Sequence, residues 1–467
     1  MVLAKRVCSQ KEVFAEKQVK ACLLASLRRT CVLVRWLLVE ELSNKIIKRD
    51  KRNNIELGIT ESTQTSLVYE KDKLLYPHFS HSKRMIIRVT LPDGRTGVAT
   101  TSRTDTWEET LKQATKLARI SEKDRHFKGL PVEDTKASVK LFEPALLDMS
   151  VEDLGAHAKL MLDMVKHAKV SMHGLWLGTG HHRVLVANSN GVSNSHIRAG
   201  VSMSLDVIKN NITGSSGHMF VKQPNPGKVA KEAIDECLKS QNPKPIQTGT
   251  YPVVLEHEAL QDVIGETLVS ALNGYALHKG DSFFSHKIGE KVASPKLSIV
   301  DDATIEYGLG SYESDSEGVG AKKTVLIEKG VLKSGLYDYY TANLAKRKST
   351  GNCSSLTARP AIGASNVVIA RGTASRSDII SGIKKGVLVS SVSGAHMSNP
   401  VSGDFSNELA KAYAIENGEV THAISSGMIS GNVFDTIKKI NAIGSEPIQK
   451  SAFIAPLILF KGMQFIA

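Results

Sequence analysis

His257 and Glu258 stand side by side where a strand-like run, residues 251–256, meets the start of a helix-like run. Metal-assisted hydrolysis needs a cation to polarise a carbonyl and acidify water, and a carboxylate to take the proton. His257 is a candidate ligand for such a cation and Glu258 a candidate base. A second ligand must come from the same helix. In the His-Glu-x-x-His arrangement it lies one turn on, where this chain has Gln261, a poor zinc ligand. Asp262, five residues on, offers an oxygen donor, but an ideal helix points it well away from His257. From spacing alone, a lone His-Glu pair is more often structural than catalytic.

Other reactive side chains carry weaker signals. His181 and His182 read as turn surface, and His278, His286 and His396 as loop histidines. Cys353 lies in a glycine turn with no Cys-His-Asn pattern around it. The acids Asp301, Asp302, Glu313, Asp315 and Glu317 read as solvated turns. No G-x-x-x-x-G-K-[ST] loop is present, and no G-x-G-x-x-G follows a strand, which argues against nucleotide chemistry.

The elements that must position these residues alternate along the chain. Residues 39–48 read as a short helix and 55–69 as a strand. Residues 85–90 and 96–101 form a hairpin around Pro92-Asp93-Gly94-Arg95. Asp105 is expected to cap a helix whose apolar face is Trp107, Leu111, Ala114 and Ala118; Ser150 with Asp153 opens the next. A long hairpin is expected around Asn190-Gly191, as a type I′ turn, and a helix over 229–238. Pro243 and Pro245 break the chain before a third part of strands and helices, with Ser375 and Asp378 as a further cap and Asn417-Gly418 as a second I′ signal. No internal repeat is visible. The fold class expected is mixed α+β with antiparallel-rich sheets. Its expected divisions are 1–36, a basic leader of unknown role; 37–122, a sheet-and-helix domain; 123–245, a helix-hairpin domain; and 246–467, a C-terminal domain.

The formal charge of +13 is concentrated at the start of the chain. Residues 1–52 hold thirteen Lys/Arg against five Asp/Glu, a net +8, which leaves +5 for the rest. With aromatics at 5%, this favours a basic leader over a nucleic-acid-binding face. The run 31–39 is too short to span a bilayer and is interrupted by Arg35. Five scattered cysteines without a C-x-x-C pair fit a reducing cytoplasm.

Several separated segments, in order, resemble the TldD/PmbA family, whose members are often labelled modulators of DNA gyrase. They include Gly94-Arg95-Thr96-Gly97, Gly289-Glu290-Lys291-Val292, Val300-Asp301-Asp302 and Ile327-Glu328-Lys329-Gly330-Val331. Beyond them come Ser349-Thr350-Gly351-Asn352, Ser402-Gly403-Asp404-Phe405-Ser406, Ile415-Glu416-Asn417-Gly418 and Ile429-Ser430-Gly431-Asn432. The resemblance runs from about residue 37 onward. It implies a cytoplasmic two-chain metallopeptidase in which a zinc-bearing TldD-type subunit pairs with a zinc-free TldE-type subunit to cleave small unfolded peptides. The zinc-bearing type has His-Glu-x-x-x-His, completed by a cysteine near its C-terminus. Here His257 and Glu258 match the first two positions, Asp262 stands where the second histidine belongs, and residues 451–467 hold no cysteine. The resemblance therefore implies a TldE-type partner, with zinc in the complex and none on this chain, paired with a TldD-type chain or a second copy of itself. The alternatives are an active peptidase using His257 and Asp262 with Glu258 as base, and a non-proteolytic protein acting on DNA gyrase or nucleic acid.

Overall fold

Thr- and Val-rich alternation between residues 54 and 70 favours a strand, because β-branched side chains fit a pleated surface and crowd a helical turn. A computed structural model of the chain describes residues 39–467 other than 51, 72, 133–135 and 360, so the basic leader 1–36 lies outside the described residues. It places that strand at the centre of a six-stranded antiparallel sheet. Strands β1 (Asn54–Glu70), β2 (Lys73–Thr90), β3 (Thr96–Thr101), β4 (Ser171–Asn188), β5 (Ser193–Lys209) and β6 (Ile212–Phe220) lie in the order β3-β2-β1-β4-β5-β6. β1 and β4 pair from Glu56–Asn188 to Glu70–Gly174, so the two N-terminal parts of the chain share one sheet.

The two halves of that sheet have the same connectivity. Helix α1 (39–47) precedes β1–β3 and α2 (Trp107–Ile120) follows them; α3 (Val151–His167) precedes β4–β6 and α4 (Pro226–Lys239) follows them. Each half builds its own apolar core on the same face. Ile55, Leu57, Ile59, Met85 and Ile87 pack with α1 and α2 in one, and Leu175, Leu177, Met203 and Leu205 pack with α3 and α4 in the other. A polar strip separates them, where Glu61 pairs with His81 at 2.8 Å. This duplication is invisible in the sequence because the halves share topology and one glycine position more than they share side chains. Gly97 in β3 and Gly214 in β6 each lie directly under a helix. A Cβ on Gly97 would meet Ala114 O at 2.2 Å, and one on Gly214 would meet Ala233 O at 2.2 Å and Cys237 N at 2.4 Å.

The helix caps and tight turns follow the local signals in part. Ser150 and Asp153 form the expected capping box on α3, as do Ser375 and Asp378 further on. Asp105 does not cap α2: Thr106 is the N-cap, without a side-chain bond, and Asp105 is drawn instead to Arg103 at 2.7 Å. Asn417 and Gly418 both take positive φ, as a I′ turn requires. At Asn190-Gly191 only the glycine does. There the Asn188 side chain accepts from the backbone N–H of Asn190 and of Val192, imposing a three-residue connection instead.

The remaining chain forms a third unit. Strands β7 (Gly249–Leu255), β8 (Ile299–Asp302), β9 (Lys323–Glu328), β10 (Val331–Leu332), β11 (Val367–Ile369), β12 (Lys385–Ser393), β13 (Asp404–Glu416), β14 (Glu419–Ala423), β15 (Met428–Asn432), β16 (Ile440–Ile443), β17 (Ile448–Gln449), β18 (Phe453–Ala455) and β19 (Ile458–Ile466) build two sheets. One runs β10-β9-β8-β11-β18-β17. In the other, β12 pairs with both β7 and β13, and β13, β15, β19 and β7 pair in turn, which closes a five-stranded barrel. The class is mixed α+β with antiparallel-rich sheets, as the sequence implies. No helix among the described residues is long and apolar enough to cross a membrane.

Two seams hold this unit against the first sheet. At one, Arg88 of β2 reaches across to Glu317 at 2.8 Å, and Lys136 meets Glu313 at 3.0 Å. The turn around Asp315 and Glu317, expected to be solvated, is buried at 4% and 3% exposure because this cation and backbone N–H groups satisfy it. At the other seam, Glu236 of α4 meets Lys411 at 2.6 Å and Ser240 meets the Tyr413 hydroxyl at 3.0 Å.

Candidate active-site helix

β7 ends at Leu255, and the chain turns at once into helix α5 (His257–Leu260), which passes through a π-turn, Gln261–Gly265, into α6 (Glu266–Ala271). The N–H of Glu266 bonds to the carbonyl of Gln261, the i→i+5 pattern that inserts one extra residue into the turn. Phe453 explains the local geometry. Its ring packs 2.9 Å from where a Cβ on Gly265 would stand, and it meets the His257 ring edge-on with centroids 5.9 Å apart.

His257 is buried, and its Nε2 lies 2.7 Å from the carbonyl of Phe453. A carbonyl only accepts, so Nε2 carries the proton and donates it. Burial holds the imidazole below its ordinary pKa, and the ring is neutral near pH 7. Nδ1 is then an unprotonated nitrogen, buried and without a hydrogen-bond partner. It is a single donor nitrogen of the kind metals take.

Glu258, the expected base, is half-exposed, and its Oε1 is engaged by the Lys450 ammonium at 2.8 Å. Lys450 also faces Glu232 of α4 at 3.7 Å. Glu232 in turn accepts from His218 at 2.6 Å and Ser216 at 2.8 Å. Burial works against its charge, yet those two bonds pull its carboxyl down to about 2. Burial likewise opposes the charge on Lys450, and the bond to Glu258 and the charges of Glu258, Glu232 and Glu236 together outweigh it, raising the amine. One turn on, Gln261 Oε1 accepts from the Ser451 hydroxyl at 2.6 Å. Three polar groups at the start of the helix, from His257, Glu258 and Gln261, are thus each met by one group from the segment 450–453.

Neither Asp262 nor His257 is among the groups that act on the other. Five residues at about 100° each put it roughly 140° round an ideal helix. The groups that act on it are Glu266 and Glu258, each four residues away. Burial first, then these two like charges, push its carboxyl up to about 6.

The sequence singled out His257, Glu258 and Asp262; it missed Lys450, Ser451, Phe453, Glu232 and His218. No spacing in a single sequence connects position 258 to position 450. His278 and His396 are exposed. Cys353 is buried and its thiol is pushed well up by that burial, so it is no nucleophile. His182 shares a hydrogen bond with Ser62 at 2.9 Å.

A zinc site needs about three protein donors at roughly 2.0–2.3 Å. On this helix one imidazole nitrogen is free, one carboxylate is paired with an ammonium, and the other faces two further carboxylates. No group of three or more His, Cys, Asp or Glu among the described residues is arranged to hold a metal. The described cysteines, Cys237 and Cys353, are buried elsewhere, in α4 and beside Asp315. A fixed ammonium beside Glu258 also opposes a second cation there. The residues present do not fit a zinc ion.

Three family models match in sequence: PmbA/TldA metallopeptidase domain 1 over residues 55–118, the central domain over 144–241 and the C-terminal domain over 248–467. The chain belongs to the PmbA/TldA metallopeptidase family. A Methanocaldococcus jannaschii protein is 31% identical over 69% of this chain and 76% of its own length. A metalloprotease of the same organism is 34% identical over 50% of this chain and 51% of its own length. The metalloprotease TldD homologue of Buchnera aphidicola is 29% identical over 63% of this chain and 64% of its own. This chain therefore spans about half to two thirds of those two metalloproteases. In structure, TldE from Thermococcus kodakarensis matches with a TM-score of 0.79 at 24% identity, over 92% of this chain and 100% of that one. At that identity the match shows the fold alone.

Proposed function

We propose that this chain is the metal-lacking, TldE-type subunit of a two-chain peptidase that cleaves small unfolded peptides, with zinc held by a TldD-type partner. The observation that carries this reading is Lys450. Its ammonium sits on Glu258, where a hydrolytic site needs a free carboxylate beside a metal. Asp262, in place of a second imidazole, supports the same reading, as does the structural likeness to a protein named TldE. The chain's part in the reaction is to position the partner and enclose the peptide. Zinc supplies the water activation when the partner binds it. The reading places the complex in the cytoplasm, in keeping with the unpaired cysteines Cys237 and Cys353.

A second reading draws on the unpartnered Nδ1 of His257: an active peptidase in which His257 and Asp262 hold a metal and Glu258 is the base. Peptide cleavage separates the two. The subunit reading expects no cleavage by the purified chain alone and cleavage once a zinc-loaded TldD-type chain is added. Changing Glu258 to Gln in this chain should leave that activity within about twofold, since no proton passes through it. Cleavage by this chain alone, falling by roughly 100-fold or more in Glu258→Gln, is the expectation of the second reading and would remove the first.

A further inference from the structure

The face of the first sheet turned away from its helices carries an unanswered positive charge. On β4 and β5, Leu175, Leu177, Met203 and Leu205 fill the helix side, so the even-numbered residues of β4 and β5 make the other face. There Ser62, His182 and Arg198 stand in one row across three strands, and His196 follows Arg198 two residues along β5. Side chains so placed have Cβ atoms about 5 Å apart along a row and about 7 Å on the diagonal. His182 Nδ1 lies 2.9 Å from the Ser62 hydroxyl, and Arg198 donates to the Leu309 carbonyl of the C-terminal unit at 2.5 Å.

Among the described residues no carboxylate answers this arginine, and burial alone bears on its charge, lowering the guanidinium's pKa. The acids around it are taken or turned away. Glu56, six residues along β1 on the same face, is held by Arg88. Glu40 and Glu61 lie on the helix side, bonded to Ser195 and His81. Glu313 pairs with Lys136 and Glu306 with Lys140. Asp206 shares the face but stands eight residues along β5. Burial first, then Arg198, His182 and Lys136, hold His196 down at about 4. Burial, then Arg198, lowers His182 as well. Both imidazoles are neutral near pH 7, and each keeps one N–H to donate. A guanidinium removed from water costs free energy unless an anion meets it.

Beyond these groups the face is bare. Gly180 and Gly200 oppose each other in the next row, and Gly178 and Ser202 in the one after. The Trp176 ring closes the run by lying over Gly178, where a Cβ would meet its Cη2 at 2.6 Å and Gln64 Nε2 at 3.4 Å. Four residues of strand, about 13 Å, separate Gly178 from His182. That length takes about four residues of an extended chain.

We propose that Arg198, His182 and His196 bind the C-terminal carboxylate of a peptide whose last residues lie extended over Gly180 and Gly200 toward Trp176. The parallel N–H groups of a guanidinium match the two oxygens of a carboxylate. Taking a peptide as the ligand rests on reading this chain as a peptidase subunit. A small anion such as phosphate would share the charge but leave the bare track unused.

The test is calorimetric titration of the full chain at pH 7 with three probes: N-acetyl tetra-alanine with a free C-terminal carboxylate, the same peptide as its C-terminal amide, and inorganic phosphate. The free acid should bind at least about tenfold more tightly than the amide, and more tightly than phosphate. Arg198→Met should weaken the acid by about tenfold or more and leave the amide unchanged, which a merely structural arginine would not do. Should that variant fail to fold, His196→Gln carries the test, with a loss of about threefold for the acid alone. Trp176→Ala should weaken the peptide by about threefold and phosphate not at all. Equal binding of acid and amide, or no binding of either, overturns the site and leaves the subunit reading standing. Phosphate bound more tightly than the peptide overturns the choice of ligand. Peptide cleavage by this chain alone would remove the subunit reading without touching the difference between acid and amide.

Discussion

Replacing Arg88 with methionine should destabilise the protein by on the order of 3–5 kcal/mol, the range found when one partner of a buried ion pair is removed. Arg88 stands opposite Glu56 on the neighbouring strand and forks onto it, Nε to Oε2 at 2.5 Å and Nη2 to Oε1 at 2.6 Å. The same Nη2 reaches Glu317 at 2.8 Å. Both carboxylates are 3% exposed or less. Glu317 keeps a backbone bond from Tyr339 when the guanidinium goes, but Glu56 is left as a buried charge. Its carboxyl is raised above the ordinary value, by burial first. A buried acid with a raised pKa favours folding most below its unfolded pKa, and that contribution is lost as pH rises through the folded value. The deficit of Arg88→Met should therefore shrink as pH is lowered from 7 toward 5. Thermal unfolding checks it, with a fall of about 3–5 °C expected at pH 7 for a chain of this length. A midpoint unchanged at pH 7 would show that this seam does not hold the units together.

Gly214→Val should cost about 3 kcal/mol, at the upper end of what overpacking does. A Cβ at that position has nowhere to go: Ala233 O at 2.2 Å and Cys237 N at 2.4 Å belong to the backbone of α4, so the helix itself must lift off β6. α4 carries Glu232 and Glu236, which meet Lys450 and Lys411, so displacing it also loosens the contact with the candidate site. Gly217→Ala, three residues along the same strand, is the control. There a Cβ would meet nothing closer than 3.7 Å, and stability should change by less than about 0.5 kcal/mol. Equal effects from the two substitutions would mean that the close approach of helix to strand is not what fixes Gly214.

What the sequence made legible is local. The face Trp107, Leu111, Ala114 and Ala118 reads directly from helical spacing, and all four side chains are buried. Ser150 and Asp153 form the box their spacing suggests, because a capping box involves only residues three apart. The pairing of β1 with β4 joins residues more than a hundred positions apart, and nothing in either strand's alternation specifies the other. The duplication of the two halves leaves no sequence repeat for the same reason. At the candidate site, His257 and Glu258 were visible as residue types, but what their surroundings do to them was not. Phe453 fixes the imidazole from almost two hundred residues away, and Lys450 turns a candidate base into half of an ion pair. The acidic turn at 313–317 reads as solvent-loving until Arg88 arrives from another unit.

The central claim is that His257, Glu258 and Asp262 do not hold zinc on this chain. Elemental analysis of the purified full-length protein, after expression in zinc-supplemented medium and dialysis, tests it most directly. The expected result is below about 0.1 zinc per chain, since a lone imidazole is too few donors for tight binding. One zinc per chain that survives dialysis and disappears in His257→Ala would contradict the account.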